Sequence, residues 1–92
     1  MSYTLRTTHR FEKSVKRCIR RNYPMEALRN VMSILVETGT LPANFQPHKL
    51  KGKKGNNIWE CHIQPDWLLI WEQHDDELIM LMLDTGTHSD LF

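Results

Sequence analysis

The chain has 92 residues, with twelve Lys and Arg against eleven Asp and Glu, which is length for one domain, residues 1–92, around one modest core. A domain of this size buries only about 60–65% of its unfolded surface, so an open working surface is expected over a deep pocket. The apolar runs are too short to span a bilayer, residues 1–11 hold no apolar h-region, and Cys18 and Cys61 make neither a CxxC pair nor a zinc spacing. These features predict a cytoplasmic chain with reduced thiols and no membrane partner, metal or cofactor.

The near-neutral total hides a division. All twelve Lys and Arg lie in residues 1–54 beside only Glu12, Glu26 and Glu37, whereas residues 55–92 hold eight acids and no Lys or Arg. A polyanion-binding half joined to an acidic half is the reading this suggests, against the plainer one of two solvated surfaces.

In chain order, residues 3–7 alternate and favour a strand. Thr7 or Thr8 then caps a helix whose apolar positions are Phe11, Val15, Cys18 and Ile19. Its polar face carries Arg10, Lys13, Lys16, Arg17, Arg20 and Arg21. Asn22-Tyr23-Pro24 breaks that helix and starts a second, striped by Leu28, Val31, Met32, Leu35 and Val36 and stopped at Gly39. Residues 41–55 read as a loop with His48 and the run Lys49, Lys51, Lys53, Lys54. Strands are expected over 57–63, 67–72 and 77–83, with a hairpin turn at 73–76 and a polar turn and tail to the end. The order β-α-α-β-β-β predicts an α+β fold, a helical hairpin packed on one face of a mostly antiparallel sheet, with the other face free.

P-loop, GxGxxG, HExxH and GxSxG patterns are absent. What remains is His48, His62, Asp66 and His88, spread over a loop, a strand, a turn and the tail. Metal-free RNA cleavage needs one group to take the 2′-OH proton and another to protonate the leaving 5′-oxygen. Histidine, with an ordinary pKa of about 6.5, suits both tasks. A carboxylate can orient a histidine, and an aromatic ring can stack a splayed base. The plainer readings are surface histidines, a turn aspartate after Pro65, a solvated lysine loop, and Trp59 and Trp71 in the core. His9 and His74 are read as surface residues.

Two segments add to this. Cys61-His62-Ile63-Gln64-Pro65-Asp66-Trp67-Leu68-Leu69-Ile70 and the ending Thr85-Gly86-Thr87-His88-Ser89-Asp90-Leu91-Phe92 resemble the YafQ branch of the RelE/ParE toxin superfamily, with its H-x-x-P-D-W and T-G-T-H-x-x-L-F stretches. Pro47-His48-Lys49-Leu50-Lys51-Gly52 resembles the family's D-H-x-L-x-G stretch, with proline for the leading aspartate. The resemblance spans the chain and implies a RelE-like fold and a ribosome-dependent mRNA endoribonuclease of a type II toxin–antitoxin system. It implies a cognate antitoxin of the DinJ/RelB kind, a heterotetramer with it, and a monomer alone. By the same resemblance His48, His62, Asp66 and His88 are the catalytic set, with His88 as general acid, His48 or Asp66 as base and His62 on the phosphate. Lys49, Lys51, Lys53, Lys54, Trp67 and Phe92 are the RNA and phosphate contacts.

Beyond Pro47, one departure from the family bears on the chemistry. An arginine is expected just before T-G-T-H, and Asp84 stands there. Loss of one such electrostatic group typically costs on the order of 10²–10³ in rate, so Asp84→Arg is expected to raise toxicity unless the lysine loop compensates. The alternative function is a catalytically weakened RNA- or ribosome-binding module of the same fold, and a pure docking domain stands third.

Overall fold

The computed structural model describes residues 2–50 and 57–92. Strand β1 (Thr4–Thr7) leads into helix α1 (His9–Arg20) and helix α2 (Met25–Thr38). A short 3-10 turn (Ala43–Phe45) precedes β2 (His48–Lys49), β3 (Ile58–Gln64), β4 (Trp67–His74), β5 (Ile79–Gly86) and a terminal helical turn, α3 (His88–Leu91). The sheet order is β1-β5-β4-β3-β2. β1 runs parallel to β5, and every other pair is antiparallel.

The helix ends follow from local chemistry. The Thr8 hydroxyl accepts from the Phe11 N–H and donates to the Leu83 carbonyl, capping α1 and tying it to β5. Gly39 closes α2 in a left-handed conformation at φ 74°, where a Cβ would strike the Tyr3 ring.

The two-residue period of the strands sorts the side chains. Cys61, Ile63, Trp67, Leu69, Trp71, Met80 and Met82 pack with Phe11, Cys18, Leu28, Val31 and Leu35 from the helices. Each such large apolar side chain contributes roughly 1.5–3 kcal/mol on burial. The alternate residues of β3, Ile58, Glu60 and His62, belong to the helix-free face. The β4–β5 register shifts at Ile70/Trp71, where Ile70 pairs with Asp84 and Trp71 with Met82. Leu83 is therefore the extra residue of a bulge, and the inward positions run Met80, Met82, Thr85.

The α+β class, the helical hairpin and the mostly antiparallel sheet are as expected. Three local features differ. The loop over 41–55 contains the short strand β2. The β4–β5 turn comes at residues 75–78, because His74 still pairs with Ile79. The tail is helical, since Thr87 and Asp90 form a capping box. No helix among the described residues is long and apolar enough to cross a membrane.

Candidate active site

The helix-free face collects the histidines. His48 lies on edge strand β2 opposite Glu60 of β3. His62 stands two residues beyond Glu60, roughly 7 Å along the same face. Asp66 sits in the β3–β4 turn, and His88 opens α3. The rings of His62 and His88 are 5.9 Å apart, centre to centre.

Each ring is held through Nδ1. That of His88 lies 2.6 Å from Asp66 Oδ1, and the same oxygen accepts the His88 backbone N–H at 3.0 Å. These two bonds hold the Asp66 carboxyl below its ordinary pKa, the backbone bond most. Nδ1 of His62 donates to the Pro65 carbonyl at 3.2 Å, and Nδ1 of His48 to the Gln46 carbonyl at 2.9 Å. Gln46 is left-handed at φ 52°, which ends the 3-10 turn under the ring. His48 Nε2 meets Glu60 Oε1 at 3.2 Å, with the Glu60 side chain only 9% exposed. The other oxygen, Oε2, is buried and has no hydrogen-bond partner among the described residues. So His48, His62, Asp66 and His88, expected from the sequence, do converge.

The tail is anchored from α1. Asp90 receives both terminal nitrogens of Arg21, at 2.7 and 3.2 Å, and the Thr87 N–H at 2.9 Å. Arg21 in particular holds the Asp90 carboxyl well below the usual carboxylate range. Gly86 makes this approach possible, since a Cβ there would lie 2.9 Å from the Asp90 side chain and 3.0 Å from Arg17 Nη2. The T-G-T-H stretch is thus a turn that presents His88 while α1 grips its far side.

A cleft of about 200 Å³ opens on this face between Leu50, Ile58, Ile70, Leu83, Leu91 and Phe92, with Arg10 and Asp84 at its rim. Phe92 is 63% exposed. A second groove carries four cations, Arg10, Lys13, Arg17 and Arg20, beside Ser14 and the carboxylates of Asp84 and Asp90. Lys13, Lys16 and Arg20 form no ion pair among the described residues.

Several expectations need correction. Trp67 does not contact solvent. It is 2% exposed, with its Nε1–H donated to Thr85 Oγ1 and its ring edge-on to Tyr23. Its strand position turns it to the helices, so it supports the site from beneath. Lys49 alternates away from His48, its ammonium 5.7 Å from the Trp59 ring centre. Lys51, Lys53 and Lys54 lie outside the described residues.

Asp84 is not a bare negative charge in the site. Its carboxylate accepts from Ser14 Oγ at 2.5 Å, Arg10 Nε at 2.9 Å and the Thr85 N–H at 2.9 Å. The bulge directs it to α1, where it holds Arg10, itself 75% exposed, at the cleft rim. A guanidinium is therefore present beside the cleft, supplied by a different element.

Glu60, Gln46, Arg10 and Asp90 were missed from the sequence. Glu60 alone had a legible signal, its two-residue spacing from His62 on a strand. Among the described residues, the one group of three or more His, Cys, Asp and Glu close enough to share an ion is His74, Asp76 and Glu77, at the opposite end of β4.

Residues 3–92 match the family model described as a bacterial toxin of type II toxin–antitoxin system, YafQ. The mRNA interferase toxin YafQ of Escherichia coli strain K12 is 36% identical over 84 residues, 89% of this chain and 87% of that protein. A chain from the crystal structure of the E. coli DinJ-YafQ toxin–antitoxin complex superposes with TM-score 0.90 at 29% identity, covering 100% of this chain and 99% of that one. A metal-bound toxin from Helicobacter pylori gives TM-score 0.88 at 28% identity, with 100% of both chains covered.

Proposed function

This chain belongs to the YafQ family of bacterial toxins of type II toxin–antitoxin systems, and on that footing we propose that it is an mRNA endoribonuclease held in check by a cognate antitoxin. The observation that carries the reading is the convergence of His48, His62, His88 and Asp66 on the sheet face opposite the helical hairpin. Such a face admits a polymer.

The chemistry follows from the donors. The 2′-hydroxyl attacks the adjacent phosphate, the histidines move the protons, and Arg10 at the rim meets the gathering negative charge. Phe92 and the apolar cleft offer a base a place to stack. The free cations of α1 suit a phosphate backbone. The site is open and shallow, so the protein alone does not fix RNA in one orientation. Cleavage on the ribosome, where the message is already fixed, supplies the missing positioning.

The antitoxin is the partner that the solved complex of the E. coli relatives suggests, and a heterotetramer is the assembly we propose for the neutralised state. The weakened-module alternative rested on Asp84, and that residue's bonds to Ser14 and Arg10 favour the active enzyme over it.

Induction of the wild type beside His88→Ala, with mapping of mRNA 5′ ends, tests the proposal. Cuts within translated codons are expected in the wild type and not in the variant. Identical maps from the two would sink it. Cuts made equally in free RNA would remove the ribosome from the reading.

A further inference from the structure

Resting on the endoribonuclease reading, we propose that His48 and Glu60 hold one proton between them and that this pair delivers it to the leaving 5′-oxygen. His88, oriented by Asp66, takes the proton of the attacking 2′-hydroxyl. This reverses the assignment that the family resemblance suggested for His88.

The Gln46 carbonyl lies 2.9 Å from His48 Nδ1. A carbonyl only accepts, so Nδ1 must carry a hydrogen. The neutral form of that ring then has a lone pair at Nε2. Yet Nε2 stands 3.2 Å from Glu60 Oε1. An ionised carboxylate also offers only lone pairs. Two arrangements make an attractive contact here: an imidazolium N–H donating to a carboxylate, or a carboxyl O–H donating to Nε2. Both hold one proton between the two groups. A neutral imidazole beside an ionised carboxylate holds none, and it sets two acceptors face to face.

Burial sharpens the point. The Glu60 side chain is 9% exposed, and Oε2 has no hydrogen-bond partner among the described residues. A buried carboxylate left without a cation or a proton is costly. The shared proton offsets that cost.

The other two rings differ. Nδ1 of His88 faces Asp66, and Nδ1 of His62 faces the Pro65 carbonyl. Their Nε2 atoms have no partner among the described residues. In the neutral form each Nε2 is an open lone pair, with the ring oriented by an acceptor behind it. That is the arrangement of a proton acceptor. Asp66 is held ionised by its two bonds from His88 and steadies the imidazolium that forms.

The step balances without a co-reactant. The bond from O2′ to phosphorus forms as the proton of O2′ passes to His88 Nε2. The bond from phosphorus to O5′ breaks, and the electron pair left on O5′ takes the proton held by His48 and Glu60. The products are a 2′,3′-cyclic phosphate end and a 5′-hydroxyl end. His88 is left with one proton more and the pair with one fewer, and exchange with solvent resets both.

A substrate with sulfur in place of the scissile 5′-oxygen tests the assignment, because a thiolate leaves without being protonated. Cleavage is measured on ribosomes carrying the normal message or the 5′-thio message. Glu60→Gln preserves size and hydrogen bonding but cannot supply the proton. It is expected to slow cleavage of the normal message by about 10²-fold or more and to return to within about tenfold of wild type on the thio message. His88→Ala is expected to stay slow on both. Equal losses on both messages for Glu60→Gln, or rescue of His88→Ala instead, would overturn the assignment.

A second measurement needs no variant and no substrate. Nitrogen-15 and carbon-13 spectra of the wild-type toxin report the His48 ring and the Glu60 carboxyl. Either both His48 nitrogens are protonated or the carboxyl is. A neutral His48 beside an ionised Glu60 would overturn the shared proton. A wild-type toxin that cut neither message would instead sink the endoribonuclease reading, an outcome distinct from a normal wild type with an unaffected Glu60→Gln.

Discussion

The two faces of the sheet are drawn from the same strands and do opposite work. On β3, Cys61 and Ile63 point to the helices, while Glu60 and His62 point away. On the covered face, Leu69, Trp71, Met80 and Met82 are excluded from water, and Trp67 nearly so. On the open face, His48 keeps about half of its side-chain surface, and Asp66 and His88 keep more than half. Period-two alternation lets one residue hold the fold and leaves the next open to a substrate. Stability and catalysis should therefore respond separately to substitution, although the residues concerned are neighbours in sequence.

The sharpest test on the open face is His88→Ala. It is expected to reduce cleavage by about 10²–10⁴-fold, roughly 3–5 kcal/mol of barrier. The thermal midpoint should stay close to that of the wild type, since His88 is exposed and its partner Asp66 is too. A large fall in the midpoint would merge the two faces into one cooperative unit and break the comparison.

The covered face calls for the converse. Leu69 is fully buried, and Leu69→Ala is expected to cost about 2–5 kcal/mol of stability. The cleavage rate per folded molecule should be unchanged. Denaturant unfolding gives the first quantity and active-fraction titration with antitoxin the second. A rate per folded molecule that fell with stability would show that the site depends on core packing.

Asp84 sits where the faces meet. Asp84→Arg removes the acceptor of buried Ser14 and places a second guanidinium beside Arg10. Leaving such a group unsatisfied costs about 1–3 kcal/mol. Cleavage should fall as well, because Arg10 loses its anchor at the cleft rim. An increase in toxicity would restore the expectation drawn from the sequence.

How much of this was legible beforehand follows the same division. The helices and the long strands were readable because their apolar spacing is repeated over several turns or pleats. The strand β2 was not, because two residues beside Pro47 carry no period. The helical tail was hidden because Thr87 and Asp90 act through a capping box that also needs Arg21 from another element. The four candidate site residues were grouped through motif resemblance, since three separate segments cannot be joined by spacing. Trp67 was misjudged because the motif says that it matters without saying which way it points. The partners of Asp84 were not legible because the bulge at Leu83, which aims it at α1, has no signature in the residues.

The smallest expected effect concerns the tail, which joins the faces through Asp90. Its carboxyl is held below the ordinary range chiefly by Arg21, with help from the Thr87 N–H. A depressed folded-state pKa means that the charged form stabilises the fold. That contribution is complete above the unfolded value of about 3.9 and declines as pH falls below it toward the folded value. Asp90→Asn removes the titration but leaves Asp66 and Asp75, which are also held low, in place. Denaturation midpoints at pH 5 and pH 3 should therefore fall further for the wild type than for Asp90→Asn. At pH 7 the variant should be somewhat less stable and should cleave more slowly, because the turn presenting His88 has lost its grip on α1. Equal losses between pH 5 and pH 3 would mean that Arg21 and Asp90 meet only as mobile surface charges. In that case Asp66 alone would hold His88 in place.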